Sequence, residues 1–200
     1  HCSWAKEKCD SFVGRENLIQ EVVGNIQKAN RNVNNNTGFW FTNTNDDNSS
    51  RHPLSGISCC VIGVSGAGKT ALMAKVALEM FQLYGNTRSR IPVIIRFCGT
   101  STGSYNARAL MTSICLQIEF VFSIPKWRRQ AKTLEKKKYD ELKEYFQKLL
   151  KDYAVYLFID SLDQLSNEDE GRSDISFLKG VKPHRDTRIV VSSLPDDDTY

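Results

Sequence analysis

Four residues, Gly63, Gly68, Lys69 and Thr70, stand in the spacing G-x-x-x-x-G-K-[ST], and their types belong to the chemistry of phosphate. Glycines let successive backbone N–H groups turn inward around anionic oxygens, at the positive end of a following helix. Lys69 would place a point charge on the β- and γ-phosphates, and the Thr70 hydroxyl offers Mg²⁺ a hard oxygen. Ser65, Gly66 and Ala67 fill the turn between them. The stretch "CCVIGVSGAGKTALMAKVAL" (59–78) supplies the context such a loop needs, an apolar strand before it and a helix after. Glycine-rich turns of this kind also occur without a ligand, so a second signal is required.

That signal is "VYLFIDSLDQL". Asp160 ends an apolar run, so its carboxylate emerges at the carboxyl edge of a sheet, where ligands of α/β proteins bind and where it can meet the magnesium ion. Strand-terminal aspartates also cap turns. Asp163, three residues on, is positioned by spacing to polarise an attacking water. "RIVVSSLP" repeats the arrangement: Ser192 and Ser193 end a second apolar run and could reach toward a γ-phosphate.

The elements that must position these residues are legible in the hydrophobic pattern. Residues 57–64, 91–99, 153–160 and 187–194 are continuous apolar runs rather than alternating ones, the mark of strands covered on both faces. Helical periodicity fills the intervals 69–84, 106–122 and, as two or so helices, 126–152. Strand and helix in alternation imply a parallel α/β sheet. Upstream, "CDSFVGRENLIQEVVGNIQKAN" reads as a turn at Gly14 followed by a helix with Leu18, Ile19, Val22, Val23 and Ile26 on one face. Residues 30–56 hold eight Asn and no periodicity apart from Phe39, Trp40 and Phe41; they are expected to be a loop insertion. The expected organisation is therefore an N-terminal segment with the first helix (1–29), the Asn-rich insertion (30–56) and the core (57–200).

A chain of 200 residues with 40% hydrophobic content is long enough to bury a core without disulfides. Its six cysteines show neither a C-x-x-C pair nor zinc spacing and read as reduced, buried thiols, with the cytoplasm as the expected compartment. No apolar run approaches the length of a membrane span. The net charge of +4 is uneven, because residues 126–151 carry ten Lys/Arg against four Asp/Glu. Such a segment could track nucleic-acid phosphates. The interleaved Leu134, Leu142, Tyr145, Phe146, Leu149 and Leu150 favour the other reading, the solvated face of an amphipathic helix.

"FVGREN", "GVSGAGKT", "IPVIIRFCGTS", "LFIDSLDQL" and "RIVVSSLP" follow one another in the order seen in the STAND class of AAA-like ATPases. "RFCGTSTGSYNARALMTSICLQI" resembles the NACHT-type modules of animal proteins that carry WD or tetratricopeptide repeats. The resemblance spans residues 11–195, and V-G-R-E combined with D-x-L-D is its specific part. It implies a three-layer P-loop NTPase core of AAA/STAND type with a mainly parallel sheet, ending after the fourth core strand, the last strand lying between the P-loop strand and the Asp160 strand. It further implies that Val13, Gly14 and Arg15 lie against adenine, that Asp160 is the magnesium aspartate, and that Asp163 is the second acid. Gln164 stands where many such domains have an acid, which implies slow hydrolysis.

The expected function is an ATP/ADP-binding, Mg²⁺-dependent switch within a larger signalling or scaffold protein. Its partners would be proteins met through repeats beyond this stretch, and a nucleotide-dependent oligomer is in keeping with the class. The rival is an AAA-type ATPase that remodels nucleic acid or protein through the basic 126–151 segment. A small-molecule kinase is a third class, for which no substrate-binding or lid signature is visible.

Overall fold

A computed structural model of the chain describes residues 2–10, 14–28, 39–42, 56–85, 91–101, 104–124, 133–168, 172 and 175–195. Five strands form one sheet: β1 (Phe39–Thr42), β2 (Cys59–Ile62), β3 (Val93–Phe97), β4 (Tyr156–Asp160) and β5 (Arg188–Ser193), in the spatial order β1-β2-β5-β4-β3. Every pair is parallel. The helices are α1 (Cys2–Asp10), α2 (Glu16–Lys28), α3 (Lys69–Met80), α4 (Ala107–Val121) and α5 (Tyr139–Asp152).

The unbroken apolar runs are explained by what lies above and below the sheet. Cys59, Val61, Phe158 and Val190 pack with α2 and α3 on one face, while Leu157, Ile159, Ile189 and Val191 pack with α4 and α5 on the other. Successive strand residues point to opposite faces, so a strand covered on both is apolar through its middle, and polar residues such as Arg188, Ser192 and Ser193 fall toward its ends. The result is three layers. On its inner side α5 buries Leu142, Phe146, Leu149 and Leu150, a stripe at helical spacing in which each side chain contributes about 1.5–3 kcal/mol relative to exposure. Asn106 starts α4 by accepting the Ala109 N–H at 2.7 Å, a cap typically worth about 1 kcal/mol.

The connection from β2 runs through α3 on one face to β3 at the far edge, and the return through α4 and α5 to β4 uses the opposite face. Ligands of open α/β sheets bind beyond the carboxyl ends of the strands, where such connections diverge. This is the edge at which β2, β5 and β4 end. The last strand does lie between the P-loop strand and the Asp160 strand, as the resemblance implies.

One expectation is corrected. Phe39–Thr42, assigned to the Asn-rich insertion 30–56, forms β1 and pairs in parallel with β2, Phe39 opposite Cys59 and Thr42 opposite Ile62. Among the described residues β1 therefore adds an edge strand beside the four expected ones. Four residues with three aromatics suit a pleated edge position whatever the composition around them; residues 30–38 and 43–55 lie outside the described residues.

Both ends of α2 are held. At its C-terminal end Arg188, buried at the head of β5, donates Nε–H to the Ile26 carbonyl at 3.1 Å and Nη1–H to the Arg185 carbonyl at 2.9 Å. Burial lowers the pKa of that guanidinium from its ordinary value. The helix spans about 20 Å at 1.5 Å per residue, and the residue before it, Arg15, reaches the glycine loop.

Candidate nucleotide site

The loop between β2 and α3 turns on residues in the left-handed region, Gly66 with φ 79° and Gly68 with φ 85°. Side-chain-bearing residues rarely adopt this conformation, so the glycines are required by the turn itself. Gly68 begins α3 with no side chain capping the helix. The first turn of a helix leaves N–H groups without intrahelical partners, and in the loop that leads into it Ser65 and Gly66 are exposed. The loop is tied down behind, Gly63 N–H donating to the Ser193 carbonyl at 3.4 Å and Ala67 N–H to Val64 at 3.2 Å. Lys69 folds back over it, its Nζ donating to the carbonyls of Gly63 at 2.5 Å and Val64 at 3.1 Å. Arg15 Nη1 donates to the Ala67 carbonyl at 2.8 Å, placing the segment before α2 against the same loop. Gly14 adopts φ 81° beside it; Val13 lies outside the described residues.

Asp160, 1% exposed, is the acid that meets this loop. Its Oδ2 accepts from the Thr70 hydroxyl at 2.8 Å and from the Ser161 hydroxyl at 3.2 Å, and its Oδ1 accepts from the Ser192 hydroxyl at 2.5 Å. Burial pushes the carboxyl above its ordinary value; the Ser192, Thr70 and Ser161 hydroxyls and the Lys69 charge pull it back. Ser161 sits at φ 60°, ψ 55°, an uncommon conformation for a residue with a side chain. It turns the chain directly into the short 3₁₀ helix Leu162–Gln164.

The structure assigns different partners to the remaining candidates. Ser192 is fully buried; besides donating to Asp160 it accepts the Ser161 N–H at 2.9 Å. Its hydroxyl thus ties β5 to the Asp160 turn instead of pointing outward. Ser193 contributes its carbonyl, which holds Gly63. Asp163, 7% exposed, accepts the Leu194 N–H on Oδ1 at 3.0 Å and the Gln164 amide on Oδ2 at 2.5 Å. Gly63, Lys69, Thr70, Asp160, Ser161 and Ser192 therefore form one connected group, and Asp163 belongs to a neighbouring one at the end of β5.

A carboxylate and a hydroxyl from two different elements, converging at 2.8 Å below an uncapped helix start, are hard oxygen donors of the kind Mg²⁺ takes. The N–H groups and Lys69 suit phosphate oxygens. The residues present fit both groups. Among the described residues no cluster of three or more His, Cys, Asp or Glu gathers that could hold a metal. Cys9, Cys59, Cys60, Cys98 and Cys115 are buried and form no disulfide, and burial raises the thiols of Cys9, Cys59, Cys98 and Cys115, that of Cys59 to about 12. No helix among the described residues is long and apolar enough to cross a membrane.

Two residues outside the sequence reading, Arg188 and Gly99, prove to matter, and Gln164 matters through a contact the sequence does not show. Arg188, a charge at the start of an apolar run, anchors α2 through the Ile26 carbonyl. Gly99 and Gln164 meet each other across two connections, a contact that no local pattern encodes.

A parallel sheet covered on both faces, with a glycine loop leading into a helix and a facing carboxylate two strands away, defines an α/β P-loop NTPase core. The family model "Nephrocystin 3, N-terminal" matches residues 36–193, and the chain belongs to that family. The matched stretch includes β1, while α1 and α2 precede it. The chain is 34% identical over 143 residues to the NACHT and WD repeat domain-containing protein 2 of Mus musculus, covering 68% of this chain and 8% of the relative. It is 30% identical over 126 residues to the NACHT domain- and WD repeat-containing protein 1 of Homo sapiens, covering 62% of this chain and 6% of the relative. The chain is thus a NACHT-type, NTPase-type module, and it spans less than a tenth of the length of these relatives.

Proposed function

We propose that this module binds ATP and ADP with Mg²⁺ and serves as a nucleotide-dependent switch in which hydrolysis is a slow reset. The observation that carries the reading is the Thr70 hydroxyl resting on the buried Asp160 carboxylate at 2.8 Å, directly below the uncapped start of α3. In this reading Thr70 and Asp160 hold the Mg²⁺, which supplies charge neutralisation to the phosphates. Loop N–H groups and Lys69 receive the phosphate oxygens; Lys69 exchanges the carbonyls of Gly63 and Val64 for them. Ser192 keeps Asp160 aimed at the loop, and Arg15 keeps the segment before α2 against it.

A switch is favoured over an engine because the second acid is engaged elsewhere. Both oxygens of Asp163 already accept hydrogen bonds, which leaves it poorly placed to activate water. The remodelling ATPase is not favoured: α5 exposes Asp140, Glu141, Glu144 and Asp152 alongside Lys148 and Lys151, a mixed face rather than a phosphate track. WD repeats appear in the names of both relatives, in keeping with partners that are proteins, and the proposed compartment is the cytoplasm.

The test is a thermal melt with and without Mg²⁺-ATP or Mg²⁺-ADP. A ligand at a hundred times its dissociation constant stabilises by about 2.7 kcal/mol, and Lys69→Ala is expected to abolish the shift. The absence of any shift in the folded, unmutated chain at millimolar nucleotide would overturn the proposal.

A further inference from the structure

The turn after β4 and the loop after β3 lock together at one point. Gly99 lies at φ 72°, and a Cβ built on it would stand 2.9 Å from the Gln164 Cβ. The loop that carries Gly99 is itself closed, Gly99 N–H donating to the Ser104 carbonyl at 3.0 Å and Ser101 N–H to the Ser104 hydroxyl at 2.9 Å. Its first residue is fixed to β4, Cys98 N–H donating to the Asp160 carbonyl at 3.0 Å. Against Gly99 rests the stem of Gln164, whose Nε2 donates to Asp163 Oδ2 at 2.5 Å; the other oxygen of that carboxylate accepts Leu194 N–H at 3.0 Å.

We propose that Gln164 is a positioning residue, a clasp that, braced on Gly99, holds the Asp163 carboxylate against the end of β5 and so keeps it from serving as a proton acceptor. This rests on the reading of the site as a nucleotide site. Three features support it. Asp163 is a buried acid whose two oxygens are each held by a different N–H donor, and neither donor belongs to the phosphate loop. Gln164, in contrast, is exposed, so an incoming ligand or partner can compete for its amide without unfolding the turn. Glycine at position 99 admits the glutamine stem, where any Cβ would push it away.

Release of the clasp frees one carboxylate oxygen and loosens the other. The Leu194 N–H is the reporter, because its bond to Asp163 is the connection between the β4 turn and the chain leaving β5. Asp163 thereby links the nucleotide edge to whatever follows β5, and the clasp sets how firmly.

Two variants separate the clasp from simple packing. Gln164→Leu keeps the stem on Gly99 and removes the donor; Gln164→Glu keeps the shape and replaces the donor with an acceptor. Amide hydrogen exchange on the chain without nucleotide is expected to show Leu194 exchanging roughly ten-fold or more faster in both, as hydrogen bonds to charged groups are worth factors of that size. In Gln164→Leu, which introduces no acid of its own, single-turnover ATP hydrolysis is expected to rise about ten-fold with the ADP dissociation constant unchanged within about two-fold. Adding Asp163→Asn should cancel the gain. Gln164→Asn, which retains an amide on a shorter stem, should restore part of the protection if the clasp is the cause. Unchanged Leu194 exchange in both variants would overturn the clasp whatever the hydrolysis rates, since this readout needs no nucleotide. A chain that binds no nucleotide yet shows the faster exchange would instead sink the functional reading and leave the clasp standing.

Discussion

Removing one hydroxyl tests the site where its electrostatics are most exposed to failure. Ser192→Ala deletes a fully buried group that donates to Asp160 Oδ1 at 2.5 Å and accepts the Ser161 N–H at 2.9 Å. The first loss takes a donor from a buried carboxylate, worth about 1.5–3 kcal/mol; the second leaves a backbone N–H unpaired at about 1–3 kcal/mol. A water admitted to the small space left behind would recover part of both. The expected destabilisation at neutral pH is about 2–4 kcal/mol, a large share of the roughly 5–15 kcal/mol that holds such a domain together.

The pH dependence distinguishes this mechanism from a cavity effect. The folded-state pKa of Asp160 is raised above its ordinary 3.8 by burial, with Ser192 opposing the rise. A raised carboxyl contributes stability that is fully present below the unfolded pKa and lost as pH rises through the folded one. Without Ser192 the folded value climbs further, so more is lost on the way to neutrality. The gap between the two proteins in urea denaturation should therefore widen from about pH 4 to pH 7. A gap of less than about 0.5 kcal/mol at neutral pH, or one of constant size across this range, would refute the reasoning.

Asp160→Asn should weaken the binding of Mg²⁺-nucleotide while leaving metal-free ADP binding largely in place, as measured by titration calorimetry with and without a chelator. Arg15→Ala, which removes the 2.8 Å bond to the Ala67 carbonyl, should weaken nucleotide binding by several-fold, since a hydrogen bond from a charged donor is worth about 1.5–3 kcal/mol when buried and less at this exposed position. Glu119, 0% exposed and held by the Tyr145 hydroxyl at 2.6 Å, has a carboxyl raised by burial. By the same sign its contribution is lost as pH rises above the ordinary glutamate range near 4.5. Glu119→Gln should therefore gain stability relative to the parent as pH increases toward neutrality, and melting curves at two pH values would show it.

How much of this was legible in the sequence depends on the range of the interaction. The strands at 57–64, 91–99, 153–160 and 187–194 appear as β2 to β5 because a strand covered on both faces must be continuously apolar, a purely local requirement. The glycine loop is likewise local, and Gly66 and Gly68 adopt the backbone their spacing anticipates. Phe39, Trp40 and Phe41 stand out from the Asn-rich surround, but a run this short does not identify a strand; the pairing of Phe39–Thr42 with β2 is what makes them one. Asp160 could be picked out as an acid at a strand end. That its other oxygen would be held by Ser192 depends on β5 lying next to β4, an order that periodicity cannot give and that came only from the family resemblance. Asp163 was read from its spacing as a group facing water, whereas its surroundings are the Leu194 N–H and the Gln164 amide. The contact of Gln164 with Gly99 joins residues far apart in sequence, and no propensity or pattern in either loop foretells it.

The measurement that bears most directly on the central claim is ATP turnover by the unmutated chain at saturating Mg²⁺-ATP, taken with the rate at which bound ADP leaves. A switch predicts saturable binding with turnover far below the roughly 1–100 s⁻¹ of dedicated phosphoryl-transfer enzymes, and ADP that dissociates slowly enough to be retained through gel filtration. Turnover within that range, abolished by Asp163→Asn, would contradict the account and make the module an engine.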